Sequence, residues 1–151
     1  MGIEISQFAV RRAVHIAAEP RHVWHEFHDA RRMSDWFGRG HSLDVYEPGK
    51  DGRMELSVNI GDEVAAFGGN IVVFDEDREL SFENNWFGPR AWAVPTFITI
   101  RLTSMYDGTL VELFHHGFER LGAKGAAEYL AYESGWDTLH LKALKQIVEG
   151  R

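Results

Sequence analysis

The chain has 151 residues, of which 44% are hydrophobic and 13% aromatic, and its net charge is −7 at pH 7 with histidine neutral. This length predicts one domain over residues 1–151, with a core large enough to enclose a cavity. The absence of cysteine excludes disulfide and thiolate chemistry and favours a reducing cytoplasm. The sequence shows no apolar run that could span a membrane, no signal-peptide pattern and no basic cluster for nucleic acid.

The first part of the chain is predicted to form a strand and two short helices. Apolar and polar residues alternate over 8–17, which predicts the strand. Pro20 then opens a short helix, because proline suits the first helical turn. A second short helix is predicted over 31–37, where Gly38 ends it.

Six further strands are predicted between the short helices and the C-terminal segment. They cover residues 42–46, 53–60, 64–74, 80–86, 96–104 and 109–117. Short turns such as Asp107-Gly108 separate them, and strands joined by short turns pair antiparallel. With the first strand, this predicts an antiparallel sheet of about seven strands.

The C-terminal segment, residues 126–149, is predicted to be one long amphipathic helix. Its inward face would carry Tyr129, Tyr132, Glu133, Trp136, Leu139, His140, Ala143, Leu144 and Ile147. Such a helix would be ~36 Å long, enough to cross a whole sheet. A curved sheet wrapped around this helix would bury both apolar faces, so the predicted fold class is α+β.

Short motifs spread along the chain carry a family resemblance. They are Val23-Trp24 with Phe27, Trp36-Phe37, Tyr46-Glu47-Pro48-Gly49, Gly69, Leu80-Ser81-Phe82, Gly108-Thr109-Leu110 and Gly135-Trp136. In this order they resemble the helix-grip (START-like) fold of the START/SRPBCC superfamily. Within it, the chain resembles the bacterial single-domain homologues of the activator of the heat-shock-protein-90 ATPase.

The resemblance implies a hydrophobic ligand held between the sheet and the long C-terminal helix. Some members of the superfamily are aromatase or cyclase enzymes, which leaves enzymatic activity as an open alternative. The eukaryotic activator binds its chaperone through a separate N-terminal domain, for which this chain has no room. Direct activation of the chaperone is therefore not implied.

The distribution of aromatic residues indicates where a ligand would be held. The candidate ligand-binding residues are Trp36, Phe37, Trp86, Trp92, His115, Tyr129, Tyr132, Glu133 and Trp136. The long aromatic connection 86–95 would either form a lid over the cavity or pack its rings over the sheet edge. From the sequence, the rings of the C-terminal helix fit either a hollow or a plain core equally well.

No metal or cofactor is predicted. His22, His25 and His28 recur every third residue, so their rings would diverge along a helix instead of converging on one ion. The spacing also differs from the H-E-x-x-H zinc motif. The sequence contains no Gly-rich phosphate loop and no nucleophile elbow.

Three functions are compatible with these features. The first is binding of a hydrophobic or aromatic small molecule. The second is a protein-interaction module, such as a chaperone co-factor in the stress response, which predicts an exposed apolar patch. The third is a cyclase- or hydratase-like enzyme with His115 or Glu133 as acid or base. The third requires one of these groups to reach the cavity unpaired, whereas Glu133 could instead pair with Arg12 or Arg101 on a strand.

Overall fold

The computed structural model describes residues 8–150. Its strands are β1 Val10–Ile16, β2 Ser42–Tyr46, β3 Arg53–Ile60, β4 Glu63–Asp75, β5 Glu79–Trp86, β6 Thr96–Met105 and β7 Gly108–His116. Its α-helices are α1 Pro20–Trp24, α2 Ala30–Phe37, α3 Gly125–Gly135 and α4 Leu139–Glu149. Short 3-10 helices lie at His25–Phe27, Gly88–Arg90 and Phe118–Lys124. Within this range, no helix is both long and apolar enough to cross a membrane.

The seven strands form one antiparallel sheet in the order β1-β7-β6-β5-β4-β3-β2. The predicted antiparallel sheet and α+β fold class are therefore confirmed. Gly68 and Gly69 let β4 approach its neighbours closely: an added Cβ at Gly68 would collide with the Met54 carbonyl oxygen, and one at Gly69 with Glu83. A register shift between Ile71 and Val73 adds a bulge to the same strand, which increases local twist.

The two short helices after β1 pack their aromatic residues into the core. Trp24 and Phe27 stack with ring centroids 4.5 Å apart, and Phe27 lies 5.1 Å from Trp36. The indole N–H of Trp36 donates to the Glu26 carbonyl at 3.2 Å, inside the protein. The opening helices therefore form one end of the core, and the end of α2 lies beside α4.

The predicted long C-terminal helix is divided into α3 and α4. The first helix ends at Gly135 and the second begins at Leu139. Between them, Trp136 adopts an extended conformation with φ −69° and ψ 125°. The break changes which side chains face the sheet. A continuous helix would have turned Leu139 inward, but this residue is 46% exposed.

Polar contacts on both sides stabilise the break. The Asp137 carboxylate accepts from the backbone N–H of Leu139 at 2.8 Å, which satisfies a free donor at the start of α4. Arg12 on β1 donates to the carbonyl of Glu133 at 2.8 Å and to that of Trp136 at 2.9 Å. These carbonyls lie at the end of α3, where helical partners are missing.

Candidate ligand-binding cavity

A cavity of about 400 Å³ lies between the inner face of the sheet and the break between α3 and α4. Its walls are formed mainly by Phe37, Leu56, Phe67, Trp86, Ile98 and Trp136. Exposed residues form its mouth, Arg39 and Gly40 on one side and Ala131, Asp137 and Leu139 on the other. Small-molecule sites typically have volumes of about 300–1,000 Å³, so the cavity is large enough for a ligand.

Five of the nine predicted site residues line this cavity. They are Phe37, Trp86, His115, Tyr132 and Trp136. Burial raises the pKa of the Tyr132 hydroxyl, with a smaller increase from Glu128, while a hydrogen bond from Trp86 opposes the rise. Tyr132 and Trp86 thus link α3 to the end of β5 across the cavity wall.

Two predicted residues, Trp36 and Tyr129, lie in packed clusters outside the cavity lining. Trp36 is fully buried between the opening helices and the core. Tyr129 stacks on Phe8 at 5.4 Å between ring centroids and meets Phe118 edge-on at 5.9 Å. Near the start of α3, Tyr129 therefore packs against other rings outside the cavity, and the aromatic face opens onto the cavity only from Tyr132 onward.

Trp92 also lies outside the lining, behind Tyr132. Its ring meets Tyr132 edge-on at 6.1 Å. The Asn85 side chain fixes its backbone, accepting from Trp92 N at 2.8 Å and donating to Trp92 O at 3.1 Å. Of the connection considered as a possible lid, only Trp86 lines the cavity.

Glu133 faces away from the cavity and pairs with Arg12. The carboxylate lies 3.4 Å from the guanidinium, and the Glu133 side chain is 42% exposed. This is one of the two ion pairs considered from the sequence, and it leaves Glu133 no access to a ligand in the cavity. An acid/base role for Glu133 has no geometric support.

His115 lines the cavity with both ring nitrogens occupied. Trp136 Nε1 donates to His115 Nδ1 at 3.0 Å, and His115 Nε2 lies 2.9 Å from Thr96 Oγ1. Thr96 donates its own proton to the Asn84 carbonyl at 3.0 Å, so its oxygen must accept from His115 Nε2–H. The ring is therefore neutral. Consistently, burial, assisted by the nearby charge of His116, lowers the pKa of His115 to about 3.

These hydrogen bonds give His115 a structural role. As an acid or base, the ring would have to break its bond to Trp136 or to Thr96. Because Glu133 is paired outside the cavity, neither group proposed for the enzyme alternative reaches the cavity unpaired. The site geometry thus supports binding more than acid/base catalysis by these residues.

Besides Arg39 and Asp137 at the mouth, three polar residues of the cavity were absent from the predicted site: His41, Asn84 and His140. The rings of His41 and His140 lie 4.9 Å apart between centroids. Burial, and next the charge of His140, lowers the pKa of His41 to about 4. Burial likewise lowers the pKa of His140, against smaller opposing effects of the Trp36 carbonyl and Asp137.

The sequence contained a signal for two of these three residues. Asn84 occupies an inward position of β5, two residues beyond the buried Phe82, where an apolar residue is expected. His140 was placed on the inward helix face. His41 follows the glycine-flanked end of α2 in an irregular segment, where no periodicity indicates direction. Among the described residues, no group of three or more His, Asp or Glu could hold a metal ion.

The fold and the cavity between sheet and C-terminal helices define a helix-grip, START-like domain of the SRPBCC superfamily. A family model described as "Activator of Hsp90 ATPase homolog 1-like protein" matches residues 17–149. The chain belongs to this family. No curated protein sequence matches it significantly.

Solved structures share the fold at low sequence identity. MLL2253 from Mesorhizobium loti has a TM-score of 0.71 at 18% identity, over 94% of this chain and 97% of its own. CalU16 from Micromonospora echinospora has a TM-score of 0.60 at 19% identity, over 94% and 74%. DynU16, from the dynemicin biosynthetic locus, has a TM-score of 0.65 at 19% identity, over 95% of this chain and 48% of its own.

Proposed function

We propose that this protein binds a hydrophobic, aromatic small molecule in the cavity between its sheet and its C-terminal helices. The observation that carries the proposal is the cavity of about 400 Å³, whose walls are mainly aromatic and aliphatic with a few polar groups. Membership of a superfamily that commonly binds ligands supports it. The similarity to DynU16, a protein of a biosynthetic locus, supports a small organic molecule as the ligand.

A thermal-shift experiment with a matched pair of variants tests this function. Val58 lines the cavity from β3, so Val58→Trp would fill part of it. Val64, on the neighbouring strand β4, is 71% exposed, so Val64→Trp makes the same change outside the cavity. The probes are two- and three-ring aromatic compounds and fatty acids. Native mass spectrometry of the purified protein would detect a ligand that copurifies.

The expected result is a selective loss of binding in one variant. A ligand at ten times its Kd stabilises the native state by about 1.4 kcal/mol, which raises the Tm by about 3–6 °C for a chain of this size. The wild type and Val64→Trp should show this shift, and Val58→Trp should not. The proposal is wrong if no probe stabilises the wild type, or if Val58→Trp responds as strongly as Val64→Trp.

The alternative is a protein-interaction role, for example as a chaperone co-factor in the stress response. Two hairpin tips support it, because Ile60 and Val64 at one tip and Met105 and Tyr106 at the other are exposed apolar residues. This role predicts that Tyr106→Asp abolishes a change in Hsp90 ATPase rate caused by the wild-type protein. If the wild type has no effect on that rate, the alternative loses its support. Either role is compatible with a reducing cytoplasm, which the lack of cysteine supports.

A further inference from the structure

The polar part of the cavity wall includes three side-chain atoms without hydrogen-bond partners. His41 Nε2, Asn84 Oδ1 and His140 Nδ1 are buried and have no hydrogen-bond partner in the described part of the chain. Asn84 and His140 are only 2% and 7% exposed. All three residues line the same cavity. Buried polar atoms in proteins nearly always have hydrogen-bond partners. The common position of these three atoms therefore points to a ligand that supplies the missing partners.

The end of helix α2 fixes the protonation of the two imidazoles. The last carbonyls of a helix lack intrahelical partners, and those of Trp36 and Phe37 are at the end of α2. The Phe37 carbonyl is hydrogen-bonded to the His41 ring and the Trp36 carbonyl to the His140 ring, and both bonds work against the lowered histidine pKa. Because His41 Nε2 and His140 Nδ1 are unpartnered, the other ring nitrogens, His41 Nδ1 and His140 Nε2, carry the protons and donate to the two carbonyls. The nitrogens left over are lone-pair acceptors.

Burial keeps these acceptors neutral. It lowers the pKa of His41 to about 4 and also lowers that of His140, so both rings are uncharged at neutral pH. A second proton on one ring would give that ring a positive charge, which would disfavour a second proton on the other ring. Of the remaining titratable lining groups, His115 has both nitrogens occupied, and the burial-raised pKa of Tyr132 keeps it a neutral phenol.

We infer that the ligand is an uncharged aromatic molecule bearing hydroxyl groups, and that His41, His140 and Asn84 accept hydrogen bonds from those hydroxyls. The inference rests on the proposed binding function and defines its chemical class. The ring-lined walls accommodate the aromatic part, and the paired acceptors receive the hydroxyl protons.

Charged ligands fit this arrangement less well. A carboxylate inside the cavity would face lone pairs, and the lining cation Arg39 is exposed at the mouth, where its Nε–H already donates to the Asp35 carbonyl. An ammonium group would need a buried carboxylate, but Asp137 is exposed at the mouth and accepts from Leu139 N–H. Hydroxyl groups satisfy the acceptors without burying a charge.

Three probes with one ring system test this class. 2-Naphthol carries a hydroxyl donor, 2-methoxynaphthalene replaces it with a methyl ether, and 2-naphthoate carries a carboxylate. In calorimetric titration at pH 7.5, 2-naphthol should bind the wild type about tenfold more tightly than either of the others, the factor expected for one net hydrogen bond.

Variants of the acceptors should remove this preference. His140→Phe and His41→Phe each keep a ring and delete an acceptor, so the ratio between 2-naphthol and its methyl ether should fall to about threefold or less. His28→Phe, at an exposed histidine outside the cavity, is the control and should retain the wild-type ratio. If a cavity variant does not fold, nitrogen NMR of the wild type replaces it. There, 2-naphthol should shift the unprotonated ring-nitrogen signals of His41 and His140.

The other outcomes separate this inference from the proposed function. Equal binding of 2-naphthol and 2-methoxynaphthalene, blocked by Val58→Trp, overturns the hydroxyl inference and leaves the binding function intact. Tightest binding of 2-naphthoate also overturns it. Unchanged ring-nitrogen signals, or failure of all three probes to bind, overturn it as well. The broader aromatic and fatty-acid panel then decides whether the cavity binds any ligand.

Discussion

Acidification should destabilise this protein through its buried neutral histidines. Burial lowers the pKa of His115 from 6.5 to about 3 and that of His41 to about 4. Between pH 6.5 and these values, the unfolded chain binds protons that the folded chain does not, so stability falls as the pH falls. One such histidine removes up to ~1.4 kcal/mol per pH unit. By pH 4.5, His115 alone lowers the free energy of unfolding by roughly 3 kcal/mol relative to alkaline pH.

His115→Phe isolates this contribution. The substitution keeps an aromatic ring but leaves the Trp136 N–H without its acceptor, so we expect a loss of ~1–3 kcal/mol at pH 8. As the pH falls below 6.5, the free energy of unfolding of the variant should decrease by ~1.4 kcal/mol less per pH unit than that of the wild type. Thr96→Val is the matched control, because it disturbs the same hydrogen-bonded chain but retains the imidazole. Its slope should equal that of the wild type.

Urea unfolding followed by tryptophan fluorescence at pH 8, 6.5, 5.5 and 4.5 measures these slopes by linear extrapolation. The interval above pH 4.5 separates histidine titration from most carboxylate titration. Parallel curves for the wild type and His115→Phe would refute the argument. So would a wild-type protein as stable at pH 4.5 as at pH 8.

Two further predictions concern the framework. Arg12→Met should lower the free energy of unfolding, measured in urea, by ~1–3 kcal/mol, because two carbonyls at the end of α3 lose a charged donor. Glu133→Gln alters only a partly exposed ion pair and should change this free energy by less than ~1 kcal/mol. Gly68→Ala should lower the calorimetric Tm by much more than Gly61→Ala does. Both glycines have positive φ, but only at Gly68 would a Cβ meet the Met54 carbonyl.

The strands were predictable because each repeats a two-residue pattern along its own length. The alternation in residues 53–60 gave β3 with the bounds that the structure shows, Arg53–Ile60. Inward positions such as Met54 and Leu56 are buried, so the pattern also gave the correct face. Local turn chemistry then determined the antiparallel pairing of consecutive strands from β2 to β7, whereas the pairing of β1 with β7 joins distant parts of the chain.

The site was less predictable, because it depends on the phase of the C-terminal helices. A continuous helix places Tyr129, Glu133 and Leu139 on the face of Trp136. In the structure the chain leaves the helix at Trp136; Tyr129 and Glu133 lie outside the cavity lining, and Leu139 is exposed at its mouth. Gly135 and Asp137 were local signals for the break, as a helix-ending glycine and a helix-starting carboxylate. Their effect was outweighed by apolar periodicity, which runs through both helices.

The break is also what opens the cavity. Because the chain leaves the helix at Trp136, its carbonyl reaches Arg12 on β1 while its indole turns inward to His115 on β7. His140 lies in the first turn of α4, and its ring centroid is 5.3 Å from that of Phe37 at the end of α2. Three distant parts of the chain thus converge around one space. The backbone hydrogen bonds lost at the break are replaced by side-chain contacts, and those contacts position the walls of the ligand site.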